Sequence, residues 1–452
     1  RKDYLLFYSD SMKDFLYSQY DNLKEIVRDI PVTTNRFTLF WSDLFDHRMD
    51  NRLDVVSFDN YDLVPSLASF HHDFYRGIKK ETPYWVLEQH TGFQEFGVSA
   101  VHAKLQAVES FARGAELICG FSWRQIQYGV EQNLHGIVDY DGETGETYEA
   151  FRTLNEWLVG EGAVLARLKP IREVAFLHSH ESSITYRTMN MDVDYHKTIY
   201  EHLYIPFFEL GLGIDFLSSE DARHLLSSYK MILVPLHIVM EQGLTQRLTE
   251  YAEGGGIVVI TGDFGQMNED HWRTYGETRT ELERLLGLGF GRWHVIPEHR
   301  RVEVQLSLEG GIGIPAEAAR IFPLSCFFQK FRLPEGSDAR ILASVTVPEE
   351  EEGTAAVAER AIGSGRIVFV AGIPDKSLMK QLAKRLLETI GVETVILPEQ
   401  TELVRLCDEQ GRLAAYLLIN KSGSPLALNL RGLDSPLVAG HNGFALQLTN
   451  AT

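Results

Sequence analysis

Tyr84-Trp85-Val86-Leu87-Glu88-Gln89, directly after Pro83, is an apolar, β-prone run that delivers a carboxylate at its C-terminal end. A continuous apolar stretch of this length reads as a buried parallel strand. Three further runs share its grammar. Ile30-Pro31-Val32-Thr33-Thr34-Asn35 ends on an amide, Leu53 to Tyr61 ends in Asp59-Asn60-Tyr61, and Ala115 to Gln125 ends in Phe121-Ser122-Trp123-Arg124-Gln125. Helical spacing separates them. Pro65-Ser66 starts a helix through Phe70, Phe74 and Ile78; Val101, Leu105, Val108 and Phe111 form the next, which Gly114 can terminate. A helix following Ser9 and Ser11, whose hydroxyls can cap it, leads into the Ile30 run, and one through Phe151, Leu154, Trp157 and Leu158 closes the region. Such β/α units face one shared pocket, and in barrels the catalytic groups sit at the C-terminal ends of the strands. Glu88 stands at such an end, a place where many carboxylates do no more than cap or solvate.

Four β/α units are half of what a closed barrel needs. Residues 1–168 therefore read as the C-terminal half of a (β/α)8 barrel, with roughly two hundred further residues expected upstream, judged from the usual barrel length of about 250. From Ile171 the texture changes: Val174 to Leu177, Ile214 to Leu217, Met231 to Pro235, Ile257 to Ile260 and Arg366 to Val370 are strands alternating with helices over Tyr200–Leu210, Leu244–Ala252 and Leu378–Ile390. That alternation predicts a doubly wound parallel α/β domain over 169–397, with Pro348 to Gly353 as a solvated turn. After Pro398, short runs at Leu403–Leu406, Ala414–Ile419 and Leu426–Leu430 between Gly, Ser and Pro turns predict a small antiparallel β domain over 398–452.

Composition narrows the partners. The chain of 452 residues is 44% hydrophobic and 23% charged, material for two or three cores. Its formal net charge of −20 repels phosphate backbones and anionic lipid, so neither nucleic acid nor membrane is expected and a neutral substrate fits better. Cys119, Cys326 and Cys407 are odd in number and far apart, without a disulfide or C-x-x-C pattern. A cytoplasmic location, no metal and no cofactor are the expectations; the chain opens at Arg1 rather than Met, which leaves room for a leader.

The ordered motifs Pro31-Val32-Thr33-Thr34-Asn35, Asp54 to Tyr61, Glu88-Gln89, and Phe121 to Gln125 followed by Gly129 and Glu131 resemble those of the glycoside hydrolase family 42 β-galactosidases. The resemblance extends over the α/β and small β domains. It implies a retaining enzyme that removes terminal β-D-galactosyl residues with two glutamates, assembled as a homotrimer partly through the middle domain. Retention requires two carboxyl groups about 5–5.5 Å apart, one attacking the anomeric carbon and one protonating the leaving oxygen. Glu88 matches the nucleophile; the acid/base Glu, in an Asn-Glu pair, has no counterpart here and is expected upstream. Glu131 and His135 match in kind a Glu and a His that grip sugar hydroxyls, here four apart rather than three. Trp123, Trp41 and Phe96 are candidates for the apolar face of galactose. Asp59, Tyr61 and Asn35 are expected to line the site from their strand ends. A β-fucosidase or α-L-arabinopyranosidase would use the same machinery, and a non-catalytic sugar-binding or scaffold protein is the reading if the chain is naturally this short.

Other motifs lead nowhere chemical. His178-Ser179-His180-Glu181 lacks further placed metal ligands, and Gly254-Gly255-Gly256 precedes its strand where a phosphate cradle must follow one. The middle domain resembles a glutamine amidotransferase fold, yet Leu236-His237 stands where a nucleophile would be. A structural or oligomerising role is expected for it.

Overall fold

In a computed structural model of the chain, the described residues are 2–40, 47–80, 82–92, 97–134, 136–189, 193–218, 220–274, 276–296, 302–306 and 321–449. The chain divides into two compact units, one built mainly from Arg172–Thr394 and the other mainly from His47–Ile171 with the C-terminal residues from Val395.

The second unit holds three parallel strands, β1 (Val56–Asn60), β2 (Tyr84–His90) and β3 (Ala115–Phe121), ordered β1-β2-β3. The helices between them follow the apolar spacing. α1 (Lys2–Ile26) precedes β1, α2 (Pro65–Ile78) follows it, α3 (Ala100–Ala112) follows β2, and α4 (Glu146–Val159) follows β3. Pro65 sits in the first turn of α2, where a missing N–H costs nothing. Ser99 caps α3 by accepting the His102 amide at 3.3 Å, and Gly114, at φ +97°, turns the chain from α3 into β3.

Two expectations fail here. The first helix starts at Lys2, so Ser9 and Ser11 lie inside it, and Ser9 is buried instead of capping. The run Ile30–Asn35 is not a strand, although it tracks β1. Val32 O accepts from the Asp54 amide at 3.1 Å, and Arg36 exchanges bonds with Ser57 O and the Asp59 amide. Between those points side chains take the ladder positions: the Thr33 hydroxyl donates to Val55 O at 2.6 Å and the Ser57 hydroxyl to Thr34 O at 3.0 Å. Hydroxyls that bond neighbouring backbone compete with regular pairing.

The C-terminal residues form a four-stranded sheet, in order Gly443–Leu448, Leu413–Asn420, Thr401–Cys407, Lys169–Pro170, and a small hairpin of Leu426–Leu428 with Leu437–Ala439. Alternation assigns the two sheet faces. Val404, Leu406, Ala415, Leu417 and Ile419 pack on Leu105 and Val108 of α3 and Leu154 of α4. Leu403, Tyr416 and Leu418 face the other way, onto Leu437 and Ala439 of the hairpin.

The first unit is α/β with a mixed ten-stranded sheet, not a wholly parallel one. Five strands are parallel, in order Ile214–Ser218, Val174–His178, Met231–Pro235, Ile257–Thr261 and Gly365–Val370. Ala355–Ile362, Arg340–Val347, Val302–Leu306, Ile321–Ser325 and Ile373–Pro374 extend them antiparallel. The span between Thr261 and Gly365, irregular by sequence, supplies most of this extension. Its strands are buried only in part, Ile321–Ser325 alternating exposed and buried positions and Arg340–Val347 and Ala355–Ile362 being partly exposed at their ends, and so lack the fully buried runs that mark the parallel core.

Candidate active site

β2 carries one residue more than its neighbours at the point where Glu88 sits. Against β1, Phe58 pairs with Val86 but Asp59 pairs with Glu88; against β3, Val86 pairs with Ile118 and Gln89 with Gly120. This bulge at Leu87–Glu88 breaks the two-residue alternation and brings the Glu88 carboxylate alongside Asp59 on one face of the sheet. Without it, Leu87 would stand there.

Two donors converge on Glu88 and Asp59. The Tyr61 hydroxyl donates to Glu88 Oε2 at 2.8 Å, and Asn35 Nδ2 donates to Asp59 Oδ2 at 2.6 Å. Burial pushes the Asp59 carboxyl up to about 6; the Asn35 bond pulls it down and the Glu88 charge raises it further. Burial also raises the Tyr61 phenol above its ordinary range, followed by its bond to Glu88 and the charges of Glu88, Asp59 and Glu131. Tyr61 therefore stays a protonated donor at any working pH. Glu131 lies near enough for its charge to be felt there.

Tyr61 is itself held in place. The His90 ring meets the Tyr61 ring edge-on, with centroids 4.9 Å apart, and His90 Nε2 lies 3.0 Å from Tyr61 O. Burial lowers the His90 imidazole below its usual value, so the neutral ring donates to that carbonyl. Gln106 of α3 donates to Asn60 O at 3.1 Å and Asp62 O at 2.9 Å, fixing the turn that bears Tyr61. Beneath it, His72 of α2 links Asn60 Nδ2 and Tyr84 OH, each at 3.0 Å.

The stretch after β3 is a closed loop: Ile137 N bonds Ser122 O, Val138 N bonds Trp123 O and Gln125 N bonds Val138 O, at 2.8–2.9 Å. Only glycine fits at Gly136, where a Cβ would stand 2.3 Å from Gln125 N. This loop bears Trp123, 65% exposed, and Glu131, also exposed.

Of the residues singled out from sequence, Glu88, Asp59, Tyr61 and Asn35 are brought together, and Glu131 is within electrostatic reach. Trp123 stands exposed on its loop. Trp41, Phe96 and His135 lie outside the described residues. Sequence reasoning missed His90, Gln106 and His72. The adjacent His71-His72, set among the apolar positions Phe70, Phe74 and Ile78 of α2, was the available signal, since buried histidines need partners. Among the described residues, no three His, Cys, Asp or Glu side chains are grouped as a metal would require.

Comparison with known proteins gives two family matches, "Beta-galactosidase" of glycoside hydrolase family 42 over residues 1–159 and "Beta-galactosidase trimerisation domain" over 172–393. Beta-galactosidase BgaA of Clostridium cellulovorans is 26% identical over 303 residues, covering 63% of this chain and 45% of that protein. Beta-galactosidase LacZ of Lactobacillus acidophilus is 23% identical over 439 residues, covering 94% of this chain and 63% of that protein. This chain thus spans about half to two thirds of the length of these relatives. The crystal structure of a β-galactosidase from Bacillus circulans sp. alkalophilus superposes on all of this chain and 68% of its own, with a TM-score of 0.86 at 20% identity. One from Rahnella sp. R3 covers 99% of this chain at the same TM-score and identity. These structures share the fold.

Proposed function

We propose, on the premise that this chain belongs to the glycoside hydrolase family 42 β-galactosidases, that it forms the nucleophile-bearing part of a retaining β-galactosidase. The observation that carries this reading is the bulged end of β2, where Glu88 accepts the Tyr61 hydroxyl and stands in register with Asp59. Three parallel β/α units with polar strand ends fit part of a (β/α)8 barrel.

In this reading Tyr61 engages Oε2 and orients the carboxylate, while Oε1 carries the attack. The Oε1 lone pair forms the bond to the anomeric carbon as the bond to the leaving oxygen breaks. The leaving oxygen takes its proton from a general acid whose carboxyl stands about 5–5.5 Å from that of Glu88. That acid is assigned to no residue of this chain. The same acid, now deprotonated, takes a proton from water as water attacks the same carbon, and Glu88 departs as a carboxylate. Tyr61 binds the charged form of Glu88 and so favours both the resting nucleophile and its release. Glu131 and Trp123 are assigned the sugar hydroxyls and an apolar ring face by resemblance, their exposure on the loop after β3 being compatible with contact to a sugar. Trp41, Phe96 and His135 join them by resemblance only, and the middle unit supports a homotrimer.

Full-length protein assayed on aryl β-D-galactoside, β-D-fucoside and α-L-arabinopyranoside tests the substrate. Galactoside preference is expected. Preference for either of the others would reassign the substrate, and no turnover of any would favour a non-catalytic role.

A further inference from the structure

We infer that Asp59 is an electrostatic governor of the nucleophile: its charge speeds formation of the Glu88 glycosyl ester and slows the ester's breakdown. This rests on the reading of Glu88 as nucleophile. The bulge in β2 sets the two carboxyls side by side on adjacent strands, and among the described residues no basic side chain is hydrogen-bonded to either of them. Asp59 is 8% exposed, so water screens the pair poorly.

The titratable groups on every element around Asp59 leave that pairing dominant. β2 offers Glu88; the turn after β1 offers Tyr61, protonated and donating to Glu88; the loop after β3 offers the more distant Glu131. Arg36, next to Asn35, directs its guanidinium to Asp50 at 3.3 Å, and Tyr75 of α2 donates to Phe37 O. Two carboxylates at neighbouring positions cannot both hold a charge without cost.

The consequence has opposite signs for the two chemical steps. As Glu88 bonds to the anomeric carbon its negative charge disappears, and repulsion from an ionised Asp59 is relieved. As water displaces it, the charge reappears beside Asp59, and the same repulsion opposes departure. Neutral Asp59 reverses both effects. Since burial and Glu88 hold the Asp59 carboxyl up at about 6, the balance between the steps changes near that pH.

A 2-deoxy-2-fluoro-β-galactosyl fluoride reads the steps separately. The Glu88 lone pair displaces fluoride, which leaves with the bonding electrons and needs no proton; hydrolysis of the ester is then followed as reactivation. Full-length wild type and Asp59→Asn are compared. Below about pH 5 the two should agree, because protonated Asp59 and Asn are both neutral. Above about pH 7 wild type should label on the order of tenfold faster than the variant and reactivate on the order of tenfold more slowly. A general acid or base titrating elsewhere cancels in this comparison. Asn35→Ala, which removes a donor to the charged form and changes an exposed residue, should move upward the pH at which labelling speeds up and reactivation slows; that shift is read against wild type alone if Asp59→Asn fails to fold. Parallel pH profiles would overturn the inference, as would a loss in both steps at every pH, the mark of a structural role. A label mapped to a residue other than Glu88 would instead remove the reading on which it rests.

Discussion

Among the described residues, Tyr61 supplies the side-chain hydrogen bond to the proposed nucleophile, so its removal isolates what orientation contributes. Tyr61→Phe keeps the ring against His90 and deletes only the donor to Glu88. A hydrogen bond to a charged group is worth about 1.5–3 kcal/mol, so kcat on an aryl β-galactoside should fall on the order of 10–100-fold. An unchanged kcat would mean that Glu88 is oriented by something else. Asp263 offers a second test, in the middle unit. It is fully buried, accepts the Tyr186 hydroxyl, and burial pushes its carboxyl up to about 7. Because that value is raised, its stabilising contribution is whole below the unfolded value near 4 and is lost as pH rises through about 7. Asp263→Asn should therefore flatten the pH dependence of unfolding between about pH 4 and 8 and gain on the order of 1 kcal/mol at the upper end. Urea titrations at the two pH values measure this. Glu88, Asp59, Tyr61 and Asn35 were legible in the sequence because each ends an apolar run. His90 and Gln106 were not, since what they do depends on a carbonyl or ring brought to them by the fold.

The bulge in β2 shows where reading elements from sequence stops. The apolar run gave the strand within a residue, but nothing in Tyr84 to Gln89 says that two residues will oppose one in both neighbours. Likewise Ile30–Asn35 has strand composition, and only its hydroxyl bonds to the backbone around Val55 and Ser57 show why it is not one. A cluster of charges in the second unit was equally hidden, its members lying far apart in sequence. Arg113, at the C-cap of α3, bonds Asp73 of α2 at 2.9 Å and Glu402 of the Thr401–Cys407 strand at 2.6 Å. Beside it Lys421 bonds the fully buried Glu109 at 2.7 Å. Burial holds the Glu109 carboxyl well above its usual range even though Lys421 pulls it down. Lys421→Met strands that carboxyl and should cost about 3 kcal/mol at pH 8. It should cost less at pH 5, where the raised carboxyl takes a proton. Adding Glu109→Leu should restore most of the loss. If the single and double variants unfold alike, the pair is not what docks the C-terminal strands on α3.

For the whole molecule, the order of β/α units, α/β unit and C-terminal strands was legible. The antiparallel half of the ten-stranded sheet was not, because half-exposed strands lack continuous apolar runs. A middle unit matching a trimerisation domain leads to the expectation that full-length protein sediments as a trimer at micromolar concentration. A monomer there would remove the oligomerising role proposed for it. Azide rescue separates the possible roles of Glu88 by stereochemistry. Full-length Glu88→Ala, given an activated aryl β-galactoside and azide, has space on the face from which the nucleophile attacks. If Glu88 is the nucleophile, azide enters from that face and the product is the inverted α-galactosyl azide, with hydrolysis without azide reduced by several orders of magnitude. A β-galactosyl azide would make Glu88 the acid/base instead, and near-normal hydrolysis without azide would remove it from the chemistry.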